Sequence, residues 1–157
     1  MSRVLVGCVG NVLRGDDGFG PALSERLELP EGAELVETGI GGIALLQELM
    51  ADCDGLVLVD AVDRGEQPGT VFRIEPEVLD APHVADVHLA NPERVLTMAK
   101  SMGVLPRRVT IVGCQPAGTE ELGEGLSPAV ERALPGATRE VEAVVAGWLA
   151  EDDRARV

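Results

Sequence analysis

The chain has 157 residues, a formal net charge of −14 at pH 7 and only 2% aromatic residues. That length suits one ordinary domain, and 45% hydrophobic residues suffice for a core built of Val, Leu, Ile and Ala. Such acidity excludes nucleic acid and anionic membranes as partners, because both are bound through basic patches.

Taken in chain order, short apolar runs alternate with segments of helical period. Residues 3–8 (RVLVGC) are apolar after Arg3 with two β-branched valines, the pattern of a short strand buried on both faces. Residues 10–20 form a Gly- and Asp-rich loop. Residues 21–29 predict a helix with Leu23 and Leu27 four apart on one face. Residues 33–37 predict a second strand, and residues 43–50 a helix with Leu45, Leu46 and Leu49 inward. Residues 55–61 (GLVLVDA) are the clearest strand, and residues 70–74 an edge strand after a Pro-Gly turn.

Residues 75–90, with two prolines and the only histidines, His83 and His88, read as a long loop. Asn91 and Pro92 open a helix whose apolar face is Val95, Leu96, Ala99 and Met102. Residues 108–114 (RVTIVGC) predict the last strand. Ser127, as cap, and Pro128 open the last helix, which Pro135-Gly136 is expected to kink or break. Residues 1–150 make one domain, and 151–157 read as a frayed, charged tail. The alternation implies βαβ units, hence an α/β three-layer sandwich: a twisted, mostly parallel sheet of about five strands with helices on both faces.

In such sheets the working site lies beyond the carboxyl ends of the strands. After the first strand come Asp16 and Asp17, after the second Glu37, after the central strand Asp60, and before the third helix His88. Crowded carboxylates repel one another unless they share a proton or a cation. Two carboxylates and an imidazole suit a divalent transition metal; a carboxylate pair sharing a proton can instead activate water. Each residue also has a plainer reading. Asp16 or Asp17 could cap the first helix, and His83 reads as a solvated surface residue. Cys8, Cys53 and Cys114 lack ligand spacing, and Cys8 and Cys114 read as small core residues. The first loop lacks the G-x-G-x-x-G spacing of a dinucleotide site, so no nucleotide is expected.

The string Gly7 to Gly20, G-C-V-G-N-V-L-R-G-D-D-G-F-G, closely resembles the first motif of the [NiFe]-hydrogenase maturation endopeptidases. Leu58-Val59-Asp60-Ala61, the His88 loop and Gly125-Leu126-Ser127-Pro128 agree with that family in order and spacing. The resemblance implies a protease that trims the C-terminal extension from a nickel-loaded large-subunit precursor. It implies Asp17, Asp60 and His88 as the residues that meet the nickel, with Asp17 and Asp60 as the catalytic carboxylates. Relatives often carry Glu at the first position; here it is Asp, which leaves Asp16 and Asp17 as alternatives. Relatives often carry Asp-Gly-Gly-Thr after the second strand; this chain departs from it with Glu37-Thr38-Gly39-Ile40, and Glu37, Thr38, Gly39, Gly41 and Gly42 are inferred to recognise the substrate tail. Gly10, Asn11, Asp16, Gly18 and Gly20 complete the motif loop.

Nickel is expected to arrive with the substrate and to be held weakly by the free enzyme. Whether the metal or a carboxylate activates water stays open at this level. The protein is expected to be a cytoplasmic monomer, since no leader or bilayer-spanning run is seen and no exposed apolar helix face stands out. Two rivals are a receiver-like Mg²⁺ module phosphorylated on Asp60 and an inactive large-subunit-binding chaperone. The receiver needs a Lys after its last strand, where this chain has Gln115.

Overall fold

A computed structural model describes residues 3–39, 43–76, 92–118, 123 and 125–155. Ten elements follow in order: β1 (Val4–Val9), a 3-10 turn (Gly15–Gly18), α1 (Phe19–Ser24), β2 (Ala33–Gly39), α2 (Ile43–Leu49), β3 (Gly55–Ala61), β4 (Val71–Ile74), α3 (Pro92–Ser101), β5 (Arg108–Cys114) and α4 (Pro128–Ala155). The five strands form one sheet in the order β2-β1-β3-β5-β4, parallel except for antiparallel β4 at the edge. The expected architecture holds, including the edge position of β4.

Strand alternation sorts the core into two layers. Val4, Val6 and Cys8 of β1, with Val57 and Val59 of β3, face α1 and α4 and pack on Phe19, Leu23, Leu134 and Val141. Leu5 and Val9, with Leu56 and Leu58, face α2 and α3 and pack on Leu45, Leu49, Val95, Leu96 and Ala99. Both faces are covered, which is why β1 and β3 read as continuous apolar runs.

The structure corrects several boundaries. The first helix begins at Phe19, within the expected loop, and ends at Ser24, so Leu27 packs on the core from beyond the helix. Gly20 explains the early start, for it lets the helix approach β1 and β3 more closely than any side chain allows. Neither Asp16 nor Asp17 caps α1, whose cap position is Gly18. Met102, expected inward, lies past α3 and is half-exposed. With Ile43, Met50 and Met98 it leaves large apolar side chains exposed on α2 and α3 and just beyond their ends, where no exposed apolar face was expected.

α4 is not broken at Pro135-Gly136 but runs 28 residues with Pro135 inside. Pro135 is exposed, while Leu134, Ala137, Thr138 and Val141 are buried on either side and hold the helix to the sheet. Nor does the tail fray at 151. The helix continues to Ala155 because Asp152, buried, accepts from Arg107 and Arg108 at 3.0 Å each. The 75–90 loop, Asn91 and both histidines lie outside the described residues except Glu75 and Pro76. Among the described residues no helix is long and apolar enough to cross a membrane.

Candidate active site at the carboxyl ends of β1 and β3

From β1 the chain passes to β2 on one side and then to β3 on the other, which makes the β1/β3 boundary the switch point of the sheet. There Cys8 pairs in register with Val59, and Asp60 is the next residue of β3. The β1–α1 loop folds back over these strand ends. Gly10 permits this: a Cβ there would overlap the Asp17 carbonyl oxygen, and its φ of +151° is itself unfavourable to other residues. Gly18 packs against Val12 of the same loop.

Asp60 is 2% exposed, and its Oδ1 has no hydrogen-bond partner among the described residues. Burial pushes its carboxyl well above the usual carboxylate range, and the nearby charge of Asp17 pushes in the same direction. Asp17 is half-buried, and its Oδ2 accepts from the backbone N–H of Asn11 at 2.9 Å. Asp16 is 2% exposed and faces elsewhere. It accepts from Ala117 N at 2.7 Å, from Ser127 N at 2.7 Å and from Ser127 Oγ at 2.8 Å. Ser127 therefore gives its hydroxyl to Asp16.

A cleft of about 400 Å³ opens at the carboxyl ends of β1 and β2, lined by Cys8, Gly10, Asn11, Val12, Pro21, Glu25 and Glu37. Glu37 is exposed and accepts from Ser24 Oγ at 3.2 Å. Thr38 is buried, its hydroxyl donating to the Cys8 carbonyl at 3.4 Å, and Gly39 pairs with Val9 at the end of β2. Burial, with Glu37 and Asp60 nearby, pushes the Cys8 thiol up to about 12, and burial pushes Cys114 to about 11. Both are free, buried thiols, as expected of core residues.

The described residues thus bring Asp17, Asp60 and Glu37 to one rim. His88, Gly41 and Gly42 lie outside them, and among the described residues no group of three His, Cys, Asp or Glu is gathered for a metal. Sequence reasoning missed Glu25 and Val12 as cleft residues and Ala117 and Ser127 as partners of Asp16. A half-exposed Val12 beside Leu13 in a polar loop was the available signal.

Residues 20–144 match the family model described as hydrogenase maturation protease. The chain belongs to the hydrogenase maturation protease family. The hydrogenase expression/formation protein HupD of Rhodobacter capsulatus is 34% identical over 154 residues, covering 93% of this chain and 72% of HupD. HupM of Azotobacter chroococcum is 35% identical, covering 95% of this chain and 72% of HupM. Among solved structures, the hydrogenase maturating endopeptidase HybD from E. coli superposes with a TM-score of 0.78 at 31% identity, covering 92% of this chain and 93% of HybD. The family makes the chain a peptidase of hydrogenase maturation. Its topology also parts from the receiver-like alternative, whose sheet runs 2-1-3-4-5 and parallel. Here β4 is an antiparallel edge strand, and the Gln115 amide holds the turn before it through Arg64 N, Glu66 N and Asp63.

Proposed function

We propose that this peptidase removes the C-terminal extension from the nickel-loaded large-subunit precursor of a [NiFe]-hydrogenase. Asp17, Asp60 and His88 meet the nickel that the precursor carries. The observation that carries this reading is the buried Asp60, with an oxygen unpartnered among the described residues and Asp17's charge close by, at the switch point of the sheet. Two carboxylates held together without a cation are costly, and a divalent ion relieves that cost. Carboxylate and imidazole donors suit Ni(II). His88 stands four positions before Pro92, the first residue of α3, and α3 covers the face of the sheet to which strand alternation assigns Asp60.

The cleft at the ends of β1 and β2 takes the chain of the substrate tail, with Glu37 on one wall. Glu37, with Thr38, Gly39, Gly41 and Gly42 after it in the sequence, recognises that tail. Water adds to the scissile carbonyl, its proton passes to a carboxylate of the pair, and the leaving amine takes a proton as the C–N bond breaks. As a ligand or as a base, Asp60 acts in its ionised form. The thiols of Cys8 and Cys114 stay protonated and take no part. Because part of the metal's coordination comes from the precursor, the free enzyme holds nickel weakly. The protein works as a cytoplasmic monomer without a nucleotide.

The test is cleavage of purified precursor, with and without nickel, by wild type and by Asp17→Asn, Asp60→Asn and His88→Ala. Nickel-dependent trimming by wild type, lost in each variant, is the expected result. Equal trimming of both precursor forms would remove the metal-sensing role. Binding without trimming by wild type would favour the chaperone reading.

A further inference from the structure

Asp16 carries a buried negative charge held by neutral donors. Its three hydrogen bonds all come from the connection between β5 and α4, 101 and 111 positions along the chain. Ser127 directly precedes Pro128, so the Asp16 carboxylate sits at the positive end of the 28-residue α4. The backbone repeats the link: Gly15 N donates to Gly123 O at 2.9 Å, and Gly123 N to Leu13 O at 2.8 Å. The 3-10 turn that bears Asp16 and Asp17 is thereby tied to a helix anchored deep in the core.

Asp17 is the next residue of that turn. Successive side chains of a 3-10 turn diverge by about 120°. With Asp16 held toward α4, Asp17 is left to face Asn11 and Asp60. Without the bonds from Ala117, Ser127 and Gly123, the turn would be free to carry Asp17 out of that orientation. We propose that Asp16 and Ser127 form a positioning clamp that aims Asp17 at Asp60 for peptide cleavage. The clamp rests on the proposed peptidase reading, in which Asp17 serves the reaction. Asp16 is then a positioning residue, not a ligand.

The experiment measures kcat and KM for trimming of nickel-loaded precursor, together with Tm, for Ser127→Ala, Ser127→Thr, Asp16→Asn and Asp17→Asn. One lost charge-assisted hydrogen bond corresponds to a roughly tenfold fall in kcat for Ser127→Ala. KM should stay near wild type, since the cleft is untouched, and Tm should fall by only about 2–4 °C for the one bond lost to buried Asp16. Ser127→Thr keeps the hydroxyl and should restore kcat to within about twofold, while Asp16→Asn, facing three donors with one acceptor, should fall by about a hundredfold. A remote destabilised variant, Trp148→Ala, serves as control: a merely structural clamp would lose activity only in proportion to its fall in Tm, as that control does. Wild-type kcat in both Ser127→Ala and Asp16→Asn, with Asp17→Asn inactive, overturns the clamp and leaves the peptidase reading intact. Full activity in Asp17→Asn overturns the reading on which the clamp rests.

Discussion

The carboxyl of Asp60 is buried within the electrostatic reach of Asp17, and both burial and that like charge favour its protonated form. The fold therefore carries a strained ionisable group at the point where its two central strands end. A group so placed is a burden on stability unless something else uses it.

That burden is measurable. A carboxyl whose folded pKa lies above its ordinary value of 3.8 supports the fold fully below that value. The support is lost as pH rises through the raised folded value. Asp60→Asn cannot ionise, so it should be more stable than wild type at pH 7, by about 2 °C or more if roughly 1 kcal/mol is recovered. The Tm difference should close as the pH falls toward 4. Thermal melts from pH 4 to 8 check this; a difference independent of pH would mean that Asp60 does not titrate in the fold.

Activity should run the other way. In the proposed reaction Asp60 acts ionised, so kcat/KM should fall on the acid side with a midpoint well above 3.8. A pH profile of trimming reads that midpoint directly. An acid limb centred on the ordinary carboxyl value would assign it to another group.

What the residues revealed beforehand followed local rules. β1, β3 and β5 were legible because parallel strands covered on both faces must be apolar throughout. Asp60 was legible as a carboxylate ending such a run. The separate surroundings of Asp16 and Asp17 were not, since Asp16 is held by Ser127 and Ala117, more than a hundred positions away. The unbroken α4 was illegible for a similar reason. Pro135 costs a helix one hydrogen bond and a steric clash, and only the buried contacts of Leu134, Ala137 and Val141 outweigh them. The role of Asp152 in holding the end of α4 likewise depended on Arg107 and Arg108 arriving from β5 and the segment before it.

The thiols give a prediction about chemistry. Cys8 lines the cleft, yet its thiol is pushed up to about 12, and Cys114 to about 11. At pH 8 both are overwhelmingly protonated and unreactive. Half-buried Cys53 should be the first site alkylated in the native protein, as peptide mapping after iodoacetamide can show. Cys8→Ala should trim precursor within about twofold of wild type, because a residue that does not contact the reacting atoms changes little. A loss of several orders of magnitude with unchanged Tm would instead make Cys8 a nucleophile.

One substitution should have opposite effects at two glycines. Gly20 lies in α1 against the Val9 and Val59 backbone, and a Cβ there would overlap the Val9 carbonyl oxygen. Relief requires α1 to shift away from the ends of β1 and β3, carrying the turn that bears Asp17 with it. Gly20→Ala should cost about 1–3 kcal/mol, the range for overpacking a close contact, and should depress trimming beyond what the lost stability explains. Gly147 lies exposed within α4 with nothing near its missing Cβ. Gly147→Ala should stabilise by about 0.5–1 kcal/mol through helix propensity alone and leave trimming unchanged. Urea denaturation of the two variants measures both signs. If Gly20→Ala is as stable and as active as wild type, the close approach of α1 to the strand ends is not what holds the first loop over the site.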